Sequence, residues 1–448
     1  MRAIRFPKRL GRDARHEYAP VTSAIRFRVK EKPVVKTYPL AVLPKPTLMN
    51  SVRIAIAANP PAALTRKLHE ILAPHSLRKL THDFECLTKD TLEFERTENS
   101  GKIPRYDSKK SLAYMAFRMV PAFGCITTAL TRLKDTGFAL PNRPITVLDF
   151  GSGPGTASWA VLDALHPQQM EATFIENSLP MIDAAKKLAE GNFEANWARN
   201  LLELSRSYTK QNAGRYDVVM CSFALGDLAS NEARQLIVDV LWTFVRPNGG
   251  VLVIVERGTR RGSRIVGTAR QQIINGGQGD FDSSSLFKSD HSPHNEETPS
   301  YAHVLAPCGH ERTCPLLDSN PVAPIGLDLD NAAPSSLYCH FVQSTARLLK
   351  TTTSVRSSHF VSYSYVAIQK MTEESTKASR HQAFVRVLAP PKRRVNHVLM
   401  DLCGEWDGQV RQTITRKKHG KLRYRRARKA EAGELFPRSE RTAPQKRW

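Results

Sequence analysis

Residues 145–156 read Ile-Thr-Val-Leu-Asp-Phe-Gly-Ser-Gly-Pro-Gly-Thr, an apolar run that reaches Asp149 and then passes three glycines at alternate positions. A short apolar run bounded by glycine predicts a buried strand, and the stretch 157–165 behind it reads as a helix. Between them, Gly151, Gly153 and Gly155 permit a tight turn in which backbone N–H groups approach a ligand closely at a helix N-terminus. That pattern predicts a nucleotide-type site. The dinucleotide pattern Gly-x-Gly-x-x-Gly is excluded, because it requires glycine at 156 and the chain has Thr156.

Gly-x-Gly-x-Gly behind an acidic residue resembles instead the first motif of class I methyltransferases, which bind S-adenosylmethionine. Residues 172–175 read as the next parallel strand and end in Glu176, a carboxylate placed to accept from both ribose hydroxyls. The cofactor residues expected on this basis are Asp149, Gly151, Ser152, Gly153, Gly155 and Glu176. Helices are predicted over 181–190, 231–245 and 262–274, with buried strands over 216–225 and 251–255. Two further strands, 359–369 and 396–402, fit an antiparallel end of a mixed α/β sheet. Roughly 100 residues intervene between Glu256 and His359, and an insertion of that size needs its own means of ordering. The segment 221–227 follows a core strand where many RNA and DNA methyltransferases carry catalytic motifs. It holds no Asn-Pro-Pro-Tyr-like sequence, and Cys221 lacks the neighbours of a cytosine-5 nucleophile, so no catalytic residue is assigned.

The chain of 448 residues carries 66 Lys and Arg against 42 Asp and Glu, a net charge of +24 that points to a polyanionic partner such as RNA. No window of 18 residues is apolar and uncharged, so no membrane span is expected. The charge is concentrated at the ends. Residues 1–37 hold 11 basic side chains against Asp13, Glu17 and Glu31, in the Arg-rich, apolar-spaced style of a mitochondrial transit peptide. Residues 411–448 hold 14 against three glutamates, interleaved with Leu422, Tyr424 and Phe436, a composition suited to phosphate contacts with base stacking. Lys417, Lys418, Arg423, Arg425, Arg426, Arg428 and Lys429 are the RNA-binding candidates. Between the ends, Pro39, Pro44 and Pro46 mark an extended linker over 38–50, and 52–133 reads as helices, with Pro121 expected to kink the last of them.

Seven cysteines without a secretory signal do not make a disulfide framework. Cys86, Cys125 and Cys221 lie in helical or apolar contexts and read as buried small residues. The remaining four fall in Cys308-Gly-His-Glu-Arg-Thr-Cys314-Pro, Tyr338-Cys339-His340-Phe341 and Asp401-Leu-Cys403-Gly. If they converge, they cross-link the loop-rich insertion to the sheet. Their long separations are unlike the short Cys-x-x-Cys knuckles of structural zinc and suit ligation from separate loops, while Cys314-Pro315 matches the Cys-Pro of ferredoxin-type ligation. Free buried thiols, zinc and an iron–sulfur cluster all remain open on spacing alone, with His310 and His340 as substitute ligands.

Taken together, Ser111-Leu-Ala-Tyr114 with Arg118 and Pro121, the glycine loop 148–156, the three cysteine segments, and Tyr424-Arg-Arg-Ala-Arg-Lys-Ala430 with Gly433 resemble the methyltransferase-like 17 family of mitochondrial ribosomal small-subunit proteins. The resemblance implies a factor of the mitochondrial matrix that binds the maturing small ribosomal subunit, with small-subunit ribosomal RNA and mitochondrial ribosomal proteins or other assembly factors as partners. It also implies a four-iron [4Fe–4S] cluster on Cys308, Cys314, Cys339 and Cys403, and a cofactor-shaped methyltransferase pocket. The chain departs from the family pattern by an extra stretch around 318–334 and by Glu176 where Asp is common. The expected organisation is a basic arm or presequence at 1–37, linker and helical domain at 38–137, a Rossmann-like methyltransferase domain at 138–258 and 355–405, a cysteine-bearing insertion at 259–354, and a basic RNA-binding extension at 406–448. Its expected role is ribosomal RNA binding with little or no methyl transfer; an active S-adenosylmethionine-dependent ribosomal RNA methyltransferase is the alternative.

Overall fold

The computed structural model describes residues 59–96, 105–134, 136–207, 214–276, 301–318, 338–349, 358–371, 384–404, 408–431 and 433–437. The expected arm at 1–37, the linker at 38–50 and most of the Gly-, Ser- and Asp-rich stretch before Tyr301 lie outside the described residues.

Four helices come first: α1 (Ala62–Leu72), α2 (Leu77–Arg96), α3 (Ser108–Phe117) and α4 (Met119–Lys134). Asp107 caps α3 by accepting from Lys110 N at 2.9 Å. The expected kink is present, since α3 and α4 meet at 55°. Pro121 lacks an N–H and its ring crowds the carbonyl four residues earlier, so the helix breaks at Arg118 rather than at the proline itself. The apolar content of α4 is spent in the core, where Phe123, Ile126, Leu130 and Leu133 are fully buried. Among the described residues no single helix is long and apolar enough to cross a membrane.

The main sheet then alternates with helices: β1 (Ile145–Phe150), α5 (Thr156–Leu165), β2 (Met170–Ile175), α6 (Leu179–Ala189), β3 (Glu194–Ala198), α7 (Leu201–Ser207), β4 (Val218–Ser222), α8 (Asn231–Phe244), β5 (Val251–Arg257), α9 (Arg260–Ile274), β6 (Tyr301–Ala306), α10 (Pro315–Asp318), β7 (Phe341–Ala346) and β8 (Ser358–Met371). Its order is β3-β2-β1-β4-β5-β8-β6. The first five strands are parallel, and β8 runs antiparallel to both β5 and β6. Strands buried on both faces need near-continuous apolar sequence, and β5 is buried along its whole length. One face packs under α1, α4, α5 and α6, the other under α8 and α9.

The sequence reading is corrected at three strands. Residues 301–306 and 341–346 sit inside the stretch expected as an insertion, yet β6 and β7 both pair with β8 in the main sheet. Conversely, the strand expected over 396–402 does not join that sheet. It belongs to a second, five-stranded antiparallel sheet formed by β9 (Phe384–Val387), β10 (Lys392–Arg393), β11 (His397–Gly404), β12 (Gly408–Thr415) and β13 (Leu435–Pro437), with α11 (Arg416–Lys429) packed on it. Val398, Met400 and Leu402 alternate into that separate core while the intervening side chains face away, the signature of a sheet covered on one side only.

Candidate functional site

Two places gather the residues singled out by the sequence. At the carboxyl edge of the main sheet, where open α/β sheets bind ligands at the switch in strand order, β1 delivers the glycine loop. Gly151, Gly153 and Gly155 all adopt positive φ (63°, 52° and 82°). A methyl group on Gly151 would stand 2.5 Å from Ala224 Cβ, whereas Gly153 meets nothing within 4 Å and forms the open tip of the loop. Asp149 is buried and points beneath the loop, accepting from Ser158 N at 3.2 Å and Ser158 Oγ at 3.1 Å. It therefore fixes the start of α5. Ser152 is buried with its hydroxyl unpartnered. Glu176 stands at the tip of β2 as expected, and its two oxygens accept from Gly153 N at 2.9 Å and Ser178 N at 2.8 Å.

The helical layer closes over this edge. Ser178 Oγ donates to the Tyr106 carbonyl at 2.6 Å, and Tyr106 Oη lies 3.5 Å from Asp227 Oδ2 in the short turn after β4. Arg257 at the end of β5 pairs with Glu95 of α2 at 2.5 Å and with Asp227 at 3.5 Å. These residues were not singled out by the sequence; they come from five separated segments and no local pattern links them. Burial pushes the carboxyls of Asp149 and Glu256 up to about 7.

Glu256 accepts from Gly226 N at 3.0 Å, a bond that an amide oxygen can also accept. Because its folded pKa lies above the unfolded one, its contribution to stability is present below the ordinary carboxylate range and is lost as pH rises through about 7. Glu256→Gln should accordingly raise stability at about pH 8 by up to about 3 kcal/mol and leave it little changed at about pH 4. Denaturant midpoints of the two proteins across this range test the point, and parallel pH profiles would refute it.

The second place is built by β8. Its C-terminal part pairs with β6 (Ala306 opposite Ala367) and its N-terminal part with β7 (Phe341 opposite Tyr363). The two strands follow one another along the same edge, leaving a gap opposite residues 364–366. Cys308 leaves the end of β6 into this gap and Cys339 enters β7 from it, with Ser364 Oγ donating to the Cys339 carbonyl at 2.7 Å. Cys308, Cys314 and Cys339 line one cavity of about 210 Å³ together with His310, Tyr338 and Tyr365. Cys403 arrives from β11 of the second sheet, where it pairs with Arg386, and its thiol lies beside Cys308. The Cys403 thiol, with His310 and Arg270 beside it, holds the Cys308 thiol well below its usual range; burial pushes Cys314 and Cys339 up.

Two buried guanidinium groups brace the cavity. Arg386 donates to the carbonyls of Pro307 and Gly433, joining the second sheet to the loop after β6. Arg270 of α9 donates to the carbonyls of Arg312 and His310. His340 is half-buried against Tyr338, their rings 4.5 Å apart. Of the other cysteines, Cys125 and Cys221 are buried as expected, but Cys86 is exposed, since its position on α2 turns away from the core. Among the described residues no three or more His, Cys, Asp or Glu side chains are grouped as ligands of a single metal ion.

The basic candidates divide on α11. Lys417, Lys418, Arg425, Arg426 and Lys429 are exposed. Arg423 instead lies over the Phe436 ring at 4.7 Å and donates to the Pro437 carbonyl, and Arg428 donates to the Arg394 carbonyl at 2.9 Å. The expected stacking aromatics are already engaged, because Phe436 is buried and Tyr424 donates to the Val395 carbonyl at 3.2 Å and lies beneath Arg428. Leu422 alone of the interleaved residues is fully on the surface.

The strand order, the reversed strand β8 and the glycine loop under an acidic strand tip define a class I methyltransferase-like fold. Within it, residues 108–437 match the family model "Mitochondrial small ribosomal subunit Rsm22", and the chain belongs to that family. It is 27% identical over 393 residues to the human ribosome assembly protein METTL17, mitochondrial, covering 85% of this chain and 70% of the relative. Identity to the Saccharomyces cerevisiae ribosome assembly protein RSM22, mitochondrial, is 21%, covering 90% and 78%. The chain spans only 43% of the Rsm22-cox11 tandem protein 2 of Schizosaccharomyces pombe, to which it is 26% identical. An O-methyltransferase family protein from Burkholderia thailandensis superposes with TM-score 0.30 at 22% identity, over 40% of this chain and 54% of that one.

Proposed function

We propose that this chain acts in mitochondria, in the matrix, as an assembly factor of the small ribosomal subunit that grips ribosomal RNA with the basic face of α11 and transfers methyl groups little or not at all. The observation that carries the reading is the family membership of residues 108–437. It is supported by the names of the human and budding-yeast relatives and by a helix whose outer face is basic with no acidic residue between Arg416 and Lys429.

In this reading Cys308, Cys314, Cys339 and Cys403 hold a [4Fe–4S] cluster whose role is to tie the second sheet to the main one. The donor set fits. Cys308, Cys314 and Cys339 line one cavity and Cys403 approaches Cys308 from the second sheet, and a cluster takes thiolates from separate loops onto separate irons, whereas zinc draws four sulfurs to about 2.3 Å from one centre. Buried Arg270 and Arg386 lie beside them and oppose the negative charge of such a group. When bound, the cluster supplies cross-linking; the residues themselves position α11 against the main sheet.

The alternative, an active S-adenosylmethionine-dependent RNA methyltransferase, is favoured by the open tip of the glycine loop at Gly153. Methyl transfer needs mainly proximity and alignment. Crosslinking the tagged protein to RNA in isolated mitochondria, and sequencing the fragments together with their methylation state, tests both. Recovery of small-subunit ribosomal RNA is expected, and recovery of none would overturn the assembly role. Gly153→Arg separates the two readings: assembly should continue with every methyl mark intact, and a missing mark at the crosslinked position would favour the enzyme.

A further inference from the structure

Three buried hydrogen-bond donors around the cysteine cavity are left without acceptors. They are Tyr365 Oη, His310 Nε2 and Arg386 Nη2, on side chains only 2%, 3% and 1% exposed. Buried donors are nearly always satisfied, and an orphan costs more than an ordinary hydrogen bond contributes. Such atoms occur elsewhere among the described residues, but these three lie around one cysteine cavity.

Their origins surround the site. Tyr365 lies on β8 opposite the gap between β6 and β7, its ring fixed by Phe341 at 5.3 Å and Tyr363 at 5.8 Å. His310 lies between Cys308 and Cys314 and lines the same cavity. Its Nδ1 stands 3.3 Å from Arg270 Nη2, which can only donate, so a neutral imidazole carries its proton on Nε2 and that nitrogen is a donor. Arg386 reaches in from the second sheet with its Nε and Nη1 already committed to Pro307 and Gly433.

We infer that Tyr365, His310 and Arg386 donate hydrogen bonds to the sulfur atoms of the cluster, its inorganic sulfides included. The inference rests on the cluster reading above and adds residues that hold the group without ligating it. Donors directed at these sulfurs stabilise the more negative, reduced form and so raise the reduction potential, and they slow loss of the cluster.

The test uses the full-length holoprotein purified without oxygen. Iron, zinc and acid-labile sulfide are measured first, and then the reduction midpoint and the rate of iron release to a chelator are compared for wild type, Tyr365→Phe and His310→Leu. Tyr365→Phe removes one oxygen and leaves the ring packing in place. It should load with the same iron and sulfide as wild type, shift the midpoint to a more negative potential, and release iron about five-fold faster, the factor one ordinary hydrogen bond represents. His310→Leu should move both readings the same way. Wild-type midpoints and release rates in both variants, with sulfide present, would overturn the hydrogen-bond assignment and leave the cluster standing. Zinc without sulfide in the wild type would remove the cluster and this inference together.

Discussion

Cys403→Ser should yield a protein that retains the main sheet but loses iron at least about ten-fold and binds RNA at least about ten-fold more weakly. Cys403 is the one thiol of the four that belongs to the second sheet, and it meets Cys308 directly. Without it, the contacts left between the sheets include the Arg386 bonds to Pro307 and Gly433 and the packing of Phe341 beside Gly433. When a ligand set is completed only in the folded state, the energy of binding its group is folding energy, so losing one ligand forfeits several kcal/mol. Serine nearly preserves shape and does not ligate as a thiolate does, which separates loss of the group from loss of packing. The measurements are iron and sulfide per chain, RNA affinity by anisotropy, and limited proteolysis, where the second sheet should be cleaved faster than the main sheet. Cys125→Ser serves as control, since Cys125 is fully buried in the helical core and does not line the cavity. A Cys403→Ser protein with wild-type iron and RNA affinity would remove the cross-link from the account.

The stretch that decides the fold was legible because its signal is local. Val147 and Leu148 bury because β1 lies at the centre of the sheet, and glycine is required where φ is positive and Ala224 presses on Gly151. The four cysteines stood apart in the sequence, but only the family resemblance tied them to a cluster, and their convergence depends on β6 and β7 sharing one edge of β8. No sequence period announces that arrangement. The strand β6 was missed because its buried run is only Val304-Leu305-Ala306 before Pro307, too short to outweigh the polar sequence on either side. The second sheet was mistaken for part of the first because alternation in β11 shows a half-buried strand without showing against which core it lies. Equally hidden was the charge network Glu95–Arg257–Asp227, whose members reach one another only once α2 lies across the carboxyl edge of the sheet.

Composition marked α11 as an RNA-binding element, but it could not distinguish a basic residue that faces solvent from one that holds the helix down. Ala427 and Ala430 are buried against the second sheet, and Arg423 lies on the same stripe one turn earlier while Arg428 lies over Tyr424, so both commit donors to backbone carbonyls. Lys421, Arg425 and Lys429 recur every fourth residue on the opposite side, with Arg426 beside them, and all four are exposed. Two quite different results are therefore expected from substitutions a few residues apart. Replacing Lys421, Arg425 and Lys429 together by Gln should leave thermal stability unchanged, weaken RNA binding at least ten-fold at moderate salt, and reduce the slope of log affinity against log salt by about 2 to 3, close to one unit for each phosphate contact removed. Replacing Arg423 and Arg428 by Gln should instead lower stability by about 1 to 3 kcal/mol, the cost of leaving their carbonyl partners short and uncovering the Phe436 and Tyr424 rings. Its salt slope should stay close to wild type wherever the protein is folded. Binding isotherms to a small-subunit ribosomal RNA fragment at several salt concentrations, taken beside melting curves, separate the two pairs of outcomes. If the exposed triple variant kept the full salt slope, α11 would not be the surface that meets the phosphates.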